Sequence, residues 1–188
     1  MFLHEHKGTV PCWDPLVDVM TKTIITQGFL FLFAVLTACV PASAVPPQAM
    51  TVDGYAIGSI VIKTKARQLL HIKSRNEIVV YSIAVGRQGR AWTGTTTVSR
   101  KVRNPTWAPP PAIRRDKPNL PALVKPGPNN PLGAAVLVLG DGTYGIHGTN
   151  RDETIGKAAS YGCFRMHNAD VLALFESISI GTKVYVLK

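Results

Sequence analysis

Between Ser59 and the C-terminus, apolar residues recur at every second position or in short unbroken runs, and only one stretch carries the spacing of a helix. Ser59-Ile-Val-Ile-Lys-Thr-Lys65 alternates in the manner of a half-buried strand. Gln68 to Lys73 and Glu77 to Val85 are two further strands, and Ser74-Arg75-Asn76 between them predicts a hairpin. Gly86 to Gly89 is a turn, and Gly94 to Lys101 is rich in strand formers, with Thr95, Thr96, Thr97 and Val98 in a row. Ala134 to Gly140 is apolar without interruption, as a strand buried on both faces would be. After the Asp141-Gly142 turn, Tyr144-Gly-Ile-His-Gly148 is a strand that ends on a histidine. The helical spacing comes last. Asn168 is placed as its N-cap and Asp170 in its first turn, with Val171, Leu172, Leu174, Phe175 and Ile178 as a core-facing stripe that stops at Gly181. Thr182 to Leu187 closes the chain as a strand. The pattern predicts a mainly β domain, a mixed or antiparallel β-sandwich with one short helix after Cys163.

Two regions depart from this pattern. Val102 to Gly133 holds nine of the 14 prolines, a density that opposes regular structure and predicts a long ordered loop. Trp107 in it is either core or a platform for a ligand. At the other end, Lys22 precedes the apolar run Gly28 to Val40, which has the length of an export-signal core and is too short to span a bilayer comfortably. Ala42-Ser-Ala44 offers cleavage before Val45, while Leu36-Thr-Ala-Cys39 resembles a lipobox whose cysteine would be acylated. Met20-Thr-Lys-Thr-Ile makes an ordinary signal start, so residues 1–19 are read as an upstream extension or a long n-region. The organisation expected is therefore 1–44 extension and export signal, 45–57 linker, and 58–188 one folded domain.

Composition sharpens this picture. With 16 glycines and 14 prolines against 7% aromatics, short strands with many turns fit better than a helix bundle. Without residues 1–44, which hold Lys7 and Lys22 against Glu5, Asp14 and Asp18, the 21 basic and 11 acidic residues fall to 19 and 8, a net charge of +11. Such a field favours anionic partners. Export disfavours nucleic acid as a partner, and no aromatic-interleaved basic motif or groove helix is present. Cys12 and Cys39 belong to the leader or its edge, so the exported domain keeps Cys163 and forms no internal disulfide. A free thiol in an oxidising compartment is a liability unless it is buried or reacts.

The chemistry-bearing residues cluster between Tyr144 and His167. Cys163 follows Gly162, and His147 precedes Gly148, a pairing that suits a thiol nucleophile and its base. A carbonyl near Gly148 would hold the second imidazole nitrogen and so fix the tautomer. The amides of Gly162 and Cys163 would face an oxyanion, and the Arg165 guanidinium would grip a carboxylate. A metal site from His147, Cys163 and His167 has the wrong spacing for zinc and lacks a fourth ligand. His71 reads as a strand-surface or hydrogen-bonded histidine.

His-Gly-Thr-Asn at 147–150 and Ser-Tyr-Gly-Cys-Phe-Arg-Met at 160–166 resemble the two halves of the L,D-transpeptidase catalytic motif, the YkuD type. Asn104-Pro-Thr-Trp-Ala-Pro-Pro110 and Gly127-Pro-Asn-Asn-Pro-Leu-Gly133 resemble segments of the Gram-negative periplasmic ErfK/YbiS members. Tyr161 departs from the pattern, since many members have a small residue or histidine there. The resemblance implies Cys163 as nucleophile, His147 as base, with Gly148 beside it, and Tyr144, Thr149, Asn150, Ser160, Tyr161 and Arg165 around the substrate. It also implies that the proline-rich loop borders the cleft, where Arg114, Arg115 and Lys117 would meet carboxylates. The implied partners are peptidoglycan stem peptides, as acyl donor and acceptor, with an envelope protein as another acceptor; no cofactor or metal is called for. Hydrolysis of the same acyl-enzyme by an L,D-carboxypeptidase or amidase, and a non-catalytic wall-binding protein, are the competing readings. The implied address is the periplasm of a Gram-negative bacterium, with a membrane contact if Cys39 is lipidated.

Overall fold

Strands with alternating apolar residues bury their faces by pairing, and here most of them join one mixed sheet. In the computed structural model, residues 51–188 are described, and they belong to a unit that runs from Val45 to Lys188. The expected signal, cleavage site and lipobox lie outside the described residues. In order, the elements are β1 (Thr51–Val52), β2 (Tyr55–Ala56), β3 (Ile60–Lys63), β4 (Gln68–Ser74), β5 (Glu77–Ser82), β6 (Val85–Gly86), β7 (Gly94–Arg103), α1 (Pro111–Asp116), β8 (Ala135–Leu139), β9 (Tyr144–His147), a 3-10 turn at Asp152–Thr154, β10 (Ala158–Ser160), β11 (Phe164–Arg165), α2 (Asn168–Ser177) and β12 (Lys183–Leu187).

Eight of these strands form the main sheet in the order β11-β9-β8-β7-β12-β3-β4-β5. The C-terminal strand sits near its centre. β12 runs antiparallel to β7 and parallel to β3, so the last residues of the chain join its two halves. The expected hairpin is β4–β5, with Leu70 opposite Val80. Ile60, Ile62, Leu69, Val98, Leu137, Ile146, Phe164, Val184 and Val186 meet Val171, Leu174 and Ile178 of the helical stripe in one core. Burial of each such side chain is worth about 1.5–3 kcal/mol. α2 packs on β8 and on β9, the strand that ends on His147.

The structure differs from the sequence pattern in four places. Residues 51–56, expected in a linker, form the β1–β2 hairpin, and Tyr55 packs edge-on against Tyr185 at 5.0 Å. The apolar run from Glu77 breaks after Ser82, because Ile83 and Ala84 turn into the core on the way to β6. The proline-rich loop contains a six-residue helix, α1, which begins at Pro111. Proline is at home in the first turn, where its missing N–H leaves no bond unmade. Finally His71 is 3% exposed, and its Nδ1 has no hydrogen-bond partner among the described residues. Burial pushes its pKa down, and Lys73 adds to the effect.

Candidate active site

β9 and β11 run parallel, with Phe164 opposite Ile146 and Arg165 opposite His147. Alternation sends Phe164 and Ile146 into the core and leaves Cys163, Arg165 and His147 on the other face. Cys163 is thus the diagonal neighbour of His147, and both line a cavity of about 620 Å³. The frame is closed on both sides. Met166 N–H donates to the His147 carbonyl at 2.8 Å, and Arg165 exchanges two backbone hydrogen bonds with Ala84, at 2.9 and 3.0 Å.

His147 is 5% exposed, and its Nδ1 lies 2.6 Å from the Gly148 carbonyl oxygen. A carbonyl only accepts, so Nδ1 carries the proton and Nε2 keeps a lone pair. Burial pushes the imidazole down to about 4 against the opposing pull of Gly148, and Arg165 lowers it further. Burial also pushes the Cys163 thiol up, while a backbone hydrogen bond from Gly145 and the Arg165 charge draw it back. Burial thus favours the uncharged form of each group, imidazole and thiol. An imidazole with a free Nε2 lone pair can accept a proton.

The turn before the cysteine is held by Ser160, 1% exposed, whose hydroxyl donates to the Cys163 carbonyl at 2.5 Å. The same oxygen accepts the Gly162 N–H at 3.1 Å, so that amide, one of two expected at an oxyanion, is turned into the loop. Gly162 has φ +120°, and a Cβ there would stand 2.5 Å from Cε1 of Tyr144, so a side chain is excluded twice. Trp92 completes the turn. Its indole N–H donates to the Gly162 carbonyl at 3.0 Å, and its ring stacks on Tyr144 with centroids 4.8 Å apart.

Behind the histidine stands Asn168. It is the first residue of α2, with His167 in the cap position, and its side chain makes no cap. Its carbonyl oxygen instead accepts from Ala134 N–H at 3.0 Å and Thr149 N–H at 3.2 Å, and its amide donates to the Thr149 carbonyl at 2.8 Å. The space this needs explains Gly148 and Gly133, where an added Cβ would lie 2.2 and 2.1 Å from Asn168 Oδ1.

Of the residues singled out from the sequence, Tyr144, His147, Asn150, Ser160, Tyr161, Cys163 and Arg165 line the cavity together. Thr149 is buried behind it, its hydroxyl accepting from Arg151 N–H at 3.0 Å. Asn150 donates to the Asn129 carbonyl at 3.0 Å, which joins the histidine loop to the proline-rich loop. His167 is exposed and faces Asp152 at 3.0 Å. The far wall is apolar, with Trp107, Ile113, Leu120, Val124 and Leu132, while Arg90, Lys117, Arg151 and Arg165 supply positive charge. Among the described residues, no carboxylate lines this cavity and no group of three His, Cys, Asp or Glu is placed to hold a metal ion. Arg114 is spent inside its own loop, on the Pro109 and Ala122 carbonyls. Sequence reasoning passed over Trp92 and the stapling role of Asn168, because each acts through partners far along the chain.

The family model described as the L,D-transpeptidase catalytic domain (YkuD) matches residues 58–186. The chain belongs to that family. The probable L,D-transpeptidase ErfK/SrfK of Escherichia coli is 36% identical to this L,D-transpeptidase domain over 151 residues, 76% of this chain and 48% of the relative. The probable L,D-transpeptidase YcfS of the same bacterium is 37% identical over 152 residues, again 76% and 48%. The chain thus spans about half the length of these relatives. A solved catalytic domain from the E. faecium L,D-transpeptidase, acylated by ertapenem, shares the fold with a TM-score of 0.53 at 17% identity, covering 71% of this chain and 100% of that one. The mainly β architecture of this L,D-transpeptidase domain agrees with that likeness.

Proposed function

We propose that this protein is a peptidoglycan L,D-transpeptidase. The observation that carries the reading is the position of Cys163 diagonal to a buried, tautomer-fixed His147 in one cavity that, among the described residues, is lined by cationic groups and no carboxylate. The Cys163 sulfur attacks the carbonyl of the diamino acid in a tetrapeptide stem while its proton passes to Nε2 of His147. The tetrahedral intermediate collapses, D-alanine leaves as an amine that takes this proton, and a thioester remains. An acceptor amine, on a second stem or on an envelope protein, then attacks the thioester; it gives its proton to His147, and the thiol reforms.

Each site residue takes a role in this scheme. With the Gly162 N–H committed to Ser160, the Cys163 N–H is the amide that meets the oxyanion. Arg165, held beside Thr154 at 3.4 Å, grips a donor carboxylate. Ser160 and Trp92 hold the nucleophile turn, and Asn168 holds the histidine loop. The leader and the strong positive charge support a periplasmic address, with anchoring through Cys39 as the other form of export.

Intact-mass analysis after incubation with a disaccharide-tetrapeptide tests this directly. An adduct on Cys163 that is lost in Cys163→Ala, accompanied by cross-linked dimer, is the expected result. Adduct with tripeptide but no dimer would assign water as the acceptor and make the protein an L,D-carboxypeptidase. No adduct at all would return the protein to wall binding without catalysis.

A further inference from the structure

The short helix α1 lines, through Ala112 and Ile113, the same cavity that Tyr161 and Cys163 line, yet α1 has no buried residue of its own. Its last residue, Asp116, makes a connection across the chain. Oδ2 of Asp116 accepts the Tyr161 hydroxyl at 2.7 Å and an Arg87 guanidinium N–H at 2.7 Å. Arg87 in turn lies over the Tyr161 ring, 4.1 Å from its centroid, so the three side chains close on one another. From here the link continues inward. The Arg87 backbone N–H donates to the Ser160 carbonyl at 2.9 Å, and the Ser160 hydroxyl holds the Cys163 carbonyl. The other polar ties of α1, from Arg114, stay inside its own loop.

We propose that Asp116 is a positioning residue for the acyl donor: by fastening α1 to Tyr161 and Arg87 it sets the width of the cleft over Cys163 without touching the reacting atoms. The proposal rests on the reading of this cavity as the donor cleft. The residue at position 161 thereby gains a purpose, since a small residue there could not reach Asp116. Asp116 is held as a carboxylate, its pKa lowered by the Tyr161 hydroxyl and by Arg87.

The test compares wild type with Asp116→Asn, Tyr161→Phe, the double variant and Asp116→Glu. With a tetrapeptide donor, each single variant is expected to raise KM about fivefold, the scale of one exposed charge-assisted contact, with kcat within about twofold. Alkylation of Cys163 by iodoacetamide, which needs no cleft closure, keeps its wild-type rate. The double variant is no weaker than the weaker single one, because both substitutions open the same link. Asp116→Glu recovers most of the loss. Independently of catalysis, exchange of the Ile113 and Lys117 amides, which bond to the Pro110 and Ile113 carbonyls, quickens about fivefold in Asp116→Asn and Tyr161→Phe. Unchanged exchange and unchanged KM would overturn the proposal. So would a parallel fall in the alkylation rate, since Asp116 would then act on the thiol and not on the cleft. If wild type itself forms no adduct with the donor, the transpeptidase reading fails, and the exchange measurement alone decides whether Asp116 fastens α1.

Discussion

Two asparagines hold the two sides of the cleft, and they do it differently. Asn168 staples Ala134 to Thr149 across 34 and 19 residues of sequence, between strands that the sheet already fixes. Asn130, fully buried, points its amide at the carbonyls of Pro105, Val124 and Lys125, at 2.6, 3.2 and 3.2 Å, and accepts from Leu132 N–H at 2.9 Å. No ladder surrounds Asn130; it organises the proline-rich wall from within. The chemical side is thus part of the core, while the substrate side is a loop with its own small framework. Damage to the first should cost stability and turnover together. Damage to the second should cost substrate affinity and leave the sheet standing.

The largest expected effect is on the chemical side. Gly148→Ala puts a Cβ 2.2 Å from Asn168 Oδ1 and 3.0 Å from Ala134 N, and both are held in place by the staple. Overpacking together with lost hydrogen bonds should cost about 4 kcal/mol of stability, measured by urea unfolding. Asn168→Ala attacks the same staple from the other partner and should cost about 3 kcal/mol, because it leaves two N–H groups and a carbonyl unpaired. On the proposed mechanism, acyl-enzyme formation should fall in both. A variant that kept its stability but lost acylation would show that the staple serves geometry alone.

These residues also mark where the sequence was legible. The alternating strands, the β4–β5 hairpin and the apolar stripe of α2 follow from period alone. β6, β10 and β11 have only two or three residues each, too few for a period to show, although β11 carries the register that sets Cys163 beside His147. The insertion of β12 between β7 and β3 is a long-range pairing that no local pattern encodes. Cys163 and His147 stood out through their glycine neighbours and their resemblance to a known motif. The shift of both groups toward their uncharged forms did not, because it comes from burial. Asn168 has the composition of a cap, and only the glycines at 133 and 148 hint that its side chain needs room elsewhere.

Acid should separate the two sides as well. His147 has its pKa lowered from 6.5 to about 4 in the fold, so the folded state binds fewer protons than the unfolded chain between those values. Its contribution is therefore complete above pH 6.5 and is lost as the pH falls towards 4, amounting to about 3 kcal/mol. Buried His71, also lowered, contributes with the same sign. Unfolding curves from pH 7 to 4 should show the loss, and His147→Gln should flatten it. If His147 is the base, as proposed, the same shift keeps it unprotonated down to about pH 4, so the acid limb of kcat/KM should lie well below 6.5. A limb near 6.5 would mean that the imidazole of the free enzyme is solvated rather than buried.

On the substrate side, Asn130→Ala should remove about 2 kcal/mol, because several carbonyls and one N–H lose a buried partner. The loss is local, and its signature is a raised KM with kcat held, together with faster amide exchange at Trp107 and Val124, which pair with each other at 2.9 and 2.8 Å. A fall in kcat equal to the rise in KM would break the contrast with Asn168, since the wall would then be shaping the chemistry.

The smallest effect belongs to the contact that joins the sides. Asn150 donates to the Asn129 carbonyl from an exposed position, so Asn150→Ala should cost no more than about 0.5 kcal/mol by itself. Its value lies in combination. If the sheet side and the loop side are separate units, the cost of Asn150→Ala adds to that of Asn168→Ala within about 0.5 kcal/mol, as for independent sites. Paired with Asn130→Ala it should lose its effect, because the Asn129 carbonyl sits next to Asn130 and its position depends on that framework. Additivity with Asn130→Ala and coupling to Asn168→Ala would reverse the assignment and make the Asn150 loop an extension of the chemical side.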